Sequence, residues 1–135
     1  MTVRHWVLAA VGAGTLVGVG VWITYRAAPA PAPAPTVRVP ELSAVARPGQ
    51  LAYQLRCASC HGAVGQGTAT GPPLVHAIYR PGHHADVAFE LAVRRGVRAH
   101  HWQLEDMPPQ PTVPAVEVAE ITRFVRELQQ ANGID

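Results

Sequence analysis

At 135 residues the chain has room for one small domain with short additions, and not for a second independent core. Charged side chains make up 15% of it and the formal net charge is +2, so no basic stripe suited to a nucleic-acid backbone is present and nucleic acid is not an expected partner. Its two cysteines, Cys57 and Cys60, have only two residues between them, which points away from a disulfide framework and toward redox, metal or heme chemistry.

The first segment, Trp6 to Tyr25, runs for about twenty residues without a charge, the length that crosses a bilayer as a helix. Trp6 stands at one end and Trp22 and Tyr25 at the other, where amphipathic rings favour the two interfaces. Residues 1–26 are therefore expected to form a transmembrane anchor. The competing reading is a cleaved secretory signal. Its apolar stretch is usually only about 7 to 15 residues long, and the prolines around Ala28-Pro29-Ala30 make a poor cleavage site. From Ala27 to Pro40 alanine alternates with proline, which fixes φ and removes backbone donors, so an extended polyproline II spacer follows. At that rise it reaches roughly 40 Å. The linker is taken as residues 27–44 and the globular domain as residues 45–135.

Three helices are expected in that domain. The first spans about Pro48 to Cys57, with Pro48 at an early position and Leu51 and Leu55 on one face. The second starts at Asp86 as N-cap and stops at Gly96, with Arg94 and Arg95 in the last turn where cations suit the helix dipole. The third starts around Pro114, carries Val118, Ile121, Val125 and Leu128 as an inward stripe, and ends at Asn132-Gly133. No strand pattern competes. Two long loops, Gly62 to Gly82 and Val97 to Thr112, connect the helices, and loops of that length in so small a domain are usually functional.

Cys57-Ala58-Ser59-Cys60-His61 carries the chemistry. Two thiols three positions apart at a helix turn can add to both vinyl groups of one porphyrin, and the following histidine then meets the iron; C-x-x-C-H is the attachment signature of c-type heme. A thioredoxin-like dithiol would want a βαβ setting that this helical pattern lacks, and a closed zinc site needs four ligands.

With these residues on view, the stretch from about Gly49 to Leu128 resembles the class I cytochromes c. Gly49 and Tyr53 ahead of Cys57, Gly71-Pro72-Pro73-Leu74 after it, and Asp106-Met107-Pro108 later match the family's helix, its Gly-Pro-x-Leu loop and its axial methionine turn. The resemblance implies an all-α fold of three to four helices around one covalently attached heme c, held by Cys57 and Cys60. It implies that Pro72 accepts a hydrogen bond from His61, that Leu74 packs on the heme, and that Phe124 lies where the first and last helices cross. His61 and Met107 are the expected axial ligands. Met1 belongs beyond the membrane segment, which leaves Met107 as the methionine candidate, and a thioether opposite imidazole favours ferrous iron and a closed site.

Within the globular domain five further histidines, His76, His83, His84, His100 and His101, depart from the family pattern. A ten-residue helix rising about 1.5 Å per residue separates the two pairs by roughly 15 Å, so one ion is not expected to bridge them. Solvated or hydrogen-bonding histidines are the favoured reading over a second metal such as copper, or over His100 or His101 replacing Met107. Arg94, Arg95 and Arg98 are read as a solvated face in preference to a docking patch. The expected function is a one-electron carrier anchored to the cytoplasmic membrane, its heme domain on the periplasmic side where c-type heme is attached, with redox proteins as donor and acceptor. The alternative is a heme subunit of a redox enzyme or a heme-based sensor.

Overall fold

A computed structural model of the chain describes residues 36–135. The anchor expected at residues 1–26 and most of the Ala/Pro spacer lie outside the described residues. Among the described residues, no helix is long and apolar enough to cross a membrane.

Four α-helices and a single 3-10 turn make up the described body: α1 Arg47–Arg56, α2 Ala58–His61, the turn Ala77–Tyr79, α3 Asp86–Arg95 and α4 Ala115–Ala131. Pro48 sits in the first turn of α1, where its missing N–H is no loss. The buried face of α1 is Gly49, Ala52 and Tyr53, whereas Leu51 and Leu55, which share another face, are 69% and 82% exposed. Both sets have helical spacing. The face that carries Gly49 is the buried one, because α1 must lie close against α4. In that crossing the rings of Tyr53 and Phe124 meet at 5.2 Å and a 57° tilt, both fully buried.

Helix α4 is the longest and contributes Val118, Ile121, Phe124, Val125 and Leu128 to the core, which includes the whole of the expected stripe. It ends as expected at Asn132, followed by Gly133 with φ of 72°. Helix α3 also packs on α4. Its N-cap is Ala85, without a side-chain cap, and Asp86 is its first residue; the Asp86 carboxylate is turned to Arg126 Nε at 2.8 Å.

The folded body begins before residue 45. Arg38 exchanges two backbone hydrogen bonds with the Asn132 side chain, at 2.9 and 2.8 Å, and Leu42 joins the core. Ser43 donates to Glu127 from both its N–H and its hydroxyl. Residues 38–44, assigned to the linker by composition, are thus tied to the end of α4.

Candidate functional site

The turn from α1 into α2 brings Cys57, Cys60 and His61 together. Cys57 is half-buried and Cys60 exposed, and both thiols are free. Burial, reinforced by the neighbouring Cys60 and opposed by Arg56, pushes the Cys57 thiol up to about 11. His61 is 9% exposed, and its Nδ1 lies 2.9 Å from the Pro72 carbonyl oxygen. A carbonyl can only accept, so Nδ1 carries the hydrogen and Nε2 keeps its lone pair for a metal. Burial lowers the His61 pKa, with the Pro72 hydrogen bond acting the other way, so the ring is held neutral, the ligating form.

The loop after His61 is internally bonded despite its composition. The Thr68 hydroxyl donates to the Cys60 carbonyl at 2.5 Å and accepts from the N–H groups of Thr70 and Gly71 at 3.0 and 3.3 Å. Tyr53 donates its buried hydroxyl to the Gly62 carbonyl at 2.9 Å, and burial pushes its pKa well above the ordinary phenol range. Gln129, also fully buried, donates to the carbonyl of Leu74 at 2.8 Å and of Tyr79 at 3.1 Å. Pro72 and Leu74 are therefore positioned by Thr68 and Gln129, two residues the sequence did not single out. The Thr68 spacing to Gly71 was a readable turn signal, but a glutamine in α4 gave none.

Met107 comes from the second long loop. Val97 and Met107 form an antiparallel bridge, each N–H donating to the other's carbonyl at 2.9 Å, a pairing absent from the helical reading of the sequence. Gly96 makes the turn with φ of 72°, and a Cβ there would stand 2.4 Å from the Met107 carbonyl oxygen. Asp106 accepts from the Ala99 N–H at 2.9 Å, closing the loop between them. Ala69 and Thr70 of the first loop and Gln103, Leu104 and Glu105 of the second line one cleft of about 480 Å³.

The remaining histidines are not where helix length alone would put them. The chain doubles back after Gly96, so His101 returns to the start of α3 and joins His83 and His84, with a ring nitrogen of each within 4.8 Å of the others. The expected separation of about 15 Å is overturned, because a loop of several residues easily retraces a ten-residue helix. His76 caps the 3-10 turn by accepting from the Ile78 N–H at 3.2 Å and packs edge-on against Trp102. Arg94 pairs with Glu90 in the preceding turn, and Arg95 and Arg98 are exposed.

Two free thiols and a buried neutral imidazole on one turn, with its ring held by a proline carbonyl, are the donor set of a protein that carries heme through thioether bonds. The cytochrome c family profile matches residues 46–129, more than half of the chain, and the chain belongs to that family. No match was found among curated proteins or solved structures. Membership brings covalently attached heme c, with Cys57 and Cys60 of the C-x-x-C-H run available for it, and heme-based electron transfer as the general function. When bound, the heme supplies a reversible one-electron iron couple.

Proposed function

We propose that this chain is a one-electron carrier whose heme iron is ligated by His61 and Met107, that residues 1–26 anchor it to the cytoplasmic membrane, and that it shuttles electrons between membrane-associated redox proteins on the periplasmic side. The pairing of Met107 with Val97 carries this reading: two backbone hydrogen bonds fix a thioether-bearing residue in a loop that otherwise has no helix to hold it. A thioether ligand supplied from that backbone position would keep the iron's remaining position filled in both oxidation states, so little would rearrange when the electron moves. Cys57 and Cys60 would hold the porphyrin and Leu74 would pack against its ring, while the Pro72 carbonyl orients His61.

A redox-titrated visible spectrum of the purified full-length protein, followed by exposure of the reduced form to carbon monoxide, tests the carrier. The expected result is a reversible one-electron titration and slow or negligible ligand binding. Rapid carbon monoxide binding would move a catalytic or sensing heme to first place. Heme staining of membrane and soluble fractions tests the anchor: heme should leave the membrane fraction when residues 6–25 are replaced by a cleavable secretion signal.

A further inference from the structure

His83 and His84 lie in the turn before α3 and His101 in the loop after it, and their rings cluster with centroids 4.7 Å apart for His83–His84, 5.5 Å for His84–His101 and 5.7 Å for His83–His101. We propose that these three imidazoles form a binding site for one divalent transition-metal ion of the zinc or copper kind, distinct from the heme iron, with water completing its coordination.

The donor chemistry selects the metal class. Three imidazoles suit zinc, copper and nickel, whereas calcium and magnesium want oxygen ligands. The nearest carboxylate in sequence, Asp86, is engaged by Arg126. The geometry is close to what such an ion needs. Metal–nitrogen bonds of about 2.0–2.1 Å hold ligand nitrogens no more than about 4.2 Å apart. The 4.8 Å limit on the present spacing therefore asks for a small closing movement. His83 and His101 are exposed and free to turn by that amount.

His84 is the fixed point. Its Nδ1 donates to the Ile78 carbonyl at 2.8 Å, which leaves the Nε2 lone pair for an ion, the outer-shell arrangement usual for metal-binding histidine. Its own carbonyl accepts from the Arg126 guanidinium, which also donates to the Tyr79 carbonyl at 2.7 Å and lies 5.0 Å from the centre of the Phe89 ring. Tyr79 packs its ring 4.9 Å from that of His84, and its hydroxyl accepts from Trp102 at 3.1 Å. Trp102 directly follows His101, so the same polar contact ties the two halves of the site. His100 is adjacent, 4.2 Å from His101 between centroids, but its Nδ1 bonds to the Arg98 carbonyl within its own loop and it lies outside the triad.

The test uses the full-length heme-loaded protein in detergent, stripped of adventitious metal by a chelator that leaves thioether-bound heme in place. Zinc chloride is titrated by calorimetry, and copper(II) is added in parallel for electron paramagnetic resonance. One zinc per heme is expected, as is a copper signal with imidazole nitrogen splitting. His83→Ala, His84→Ala and His101→Ala should each weaken zinc at least tenfold, and the triple variant should lose the stoichiometric site with its heme spectrum unchanged. His100→Ala should bind as wild type. Absence of saturable binding in the wild type, or wild-type binding by the triple variant, overturns the proposal. A heme spectrum that changes axial-ligand type when His101 is replaced would also overturn it, by assigning that ring to the iron.

Discussion

Gly49 of α1 rests on the backbone of Glu120 in α4, so closely that a Cβ on Gly49 would stand 1.9 Å from the Glu120 carbonyl oxygen and 2.4 Å from its carbon. Backbone cannot swing aside as a side chain can. Gly49→Ala is therefore expected to push the two helices apart and to cost at least the ~1–3 kcal/mol typical of an overpacked core. A thermal melt of the heme-loaded protein should fall well below wild type, with Tyr53 and Phe124 losing their contact. Gly82→Ala, where a Cβ meets nothing within 4 Å, should melt close to wild type. Equal melting temperatures for the two variants would refute the close approach.

Gln129→Leu keeps the side chain's approximate bulk and removes its polarity. The Leu74 carbonyl then loses the donor at 2.8 Å, whereas the Tyr79 carbonyl keeps Arg126. One orphaned buried acceptor costs about 1–3 kcal/mol. Urea denaturation should show that loss as a lower midpoint with an unchanged slope. A midpoint at or above wild type would mean that the amide contributes nothing to holding the loop.

Cys57 should be the slow thiol in chain prepared without heme. Its folded thiol ionises at about 11 because it is buried and lies beside Cys60, and only the thiolate is nucleophilic. Alkylation of Cys57 at pH 7 should accordingly be slow and rise about tenfold per pH unit until it levels near pH 11. An unfolded thiol ionises near 9.0, so the retained proton contributes stability that is intact below pH 9 and is lost as the pH rises toward 11. A rate plateau at the unfolded value would contradict the burial.

What the sequence revealed and what it hid divide along physical lines. The ends of α1, α3 and α4 were legible because proline, glycine and apolar spacing act locally, and the C-x-x-C-H run was legible because covalent heme attachment needs that spacing. Long-range pairings were not. The Val97–Met107 bridge is only one residue pair long, too short for a period-two pattern. Which face of α1 is buried was not legible, because choosing Gly49 over Leu51 depends on how near α4 comes. The histidine cluster was misread because helix length sets the distance between the ends of α3 and says nothing of the path taken by the loop beyond it. Gln129 gave no signal of its own near the end of α4, and only the carbonyls of Leu74 and Tyr79, 55 and 50 positions earlier, account for its burial.

Replacing Met107 separates the proposed carrier from its alternatives most directly. Its backbone is held by Val97, with the close approach of Gly96 beside it, so Met107→Ala removes the thioether while leaving both bridge hydrogen bonds in place. If the sulfur ligates the ferric iron, the wild-type protein shows the weak red charge-transfer absorption of sulfur-ligated heme, and Met107→Ala loses it. The potential should also fall, because a soft ligand that favours the ferrous state is gone, and carbon monoxide should bind the reduced variant rapidly where it binds wild type slowly. His101→Ala should leave absorption and potential unaltered, since its ring belongs with those of His83 and His84. An unchanged Met107→Ala spectrum would sink the ligand assignment, whereas loss of the absorption in His101→Ala would place that histidine at the iron in its stead.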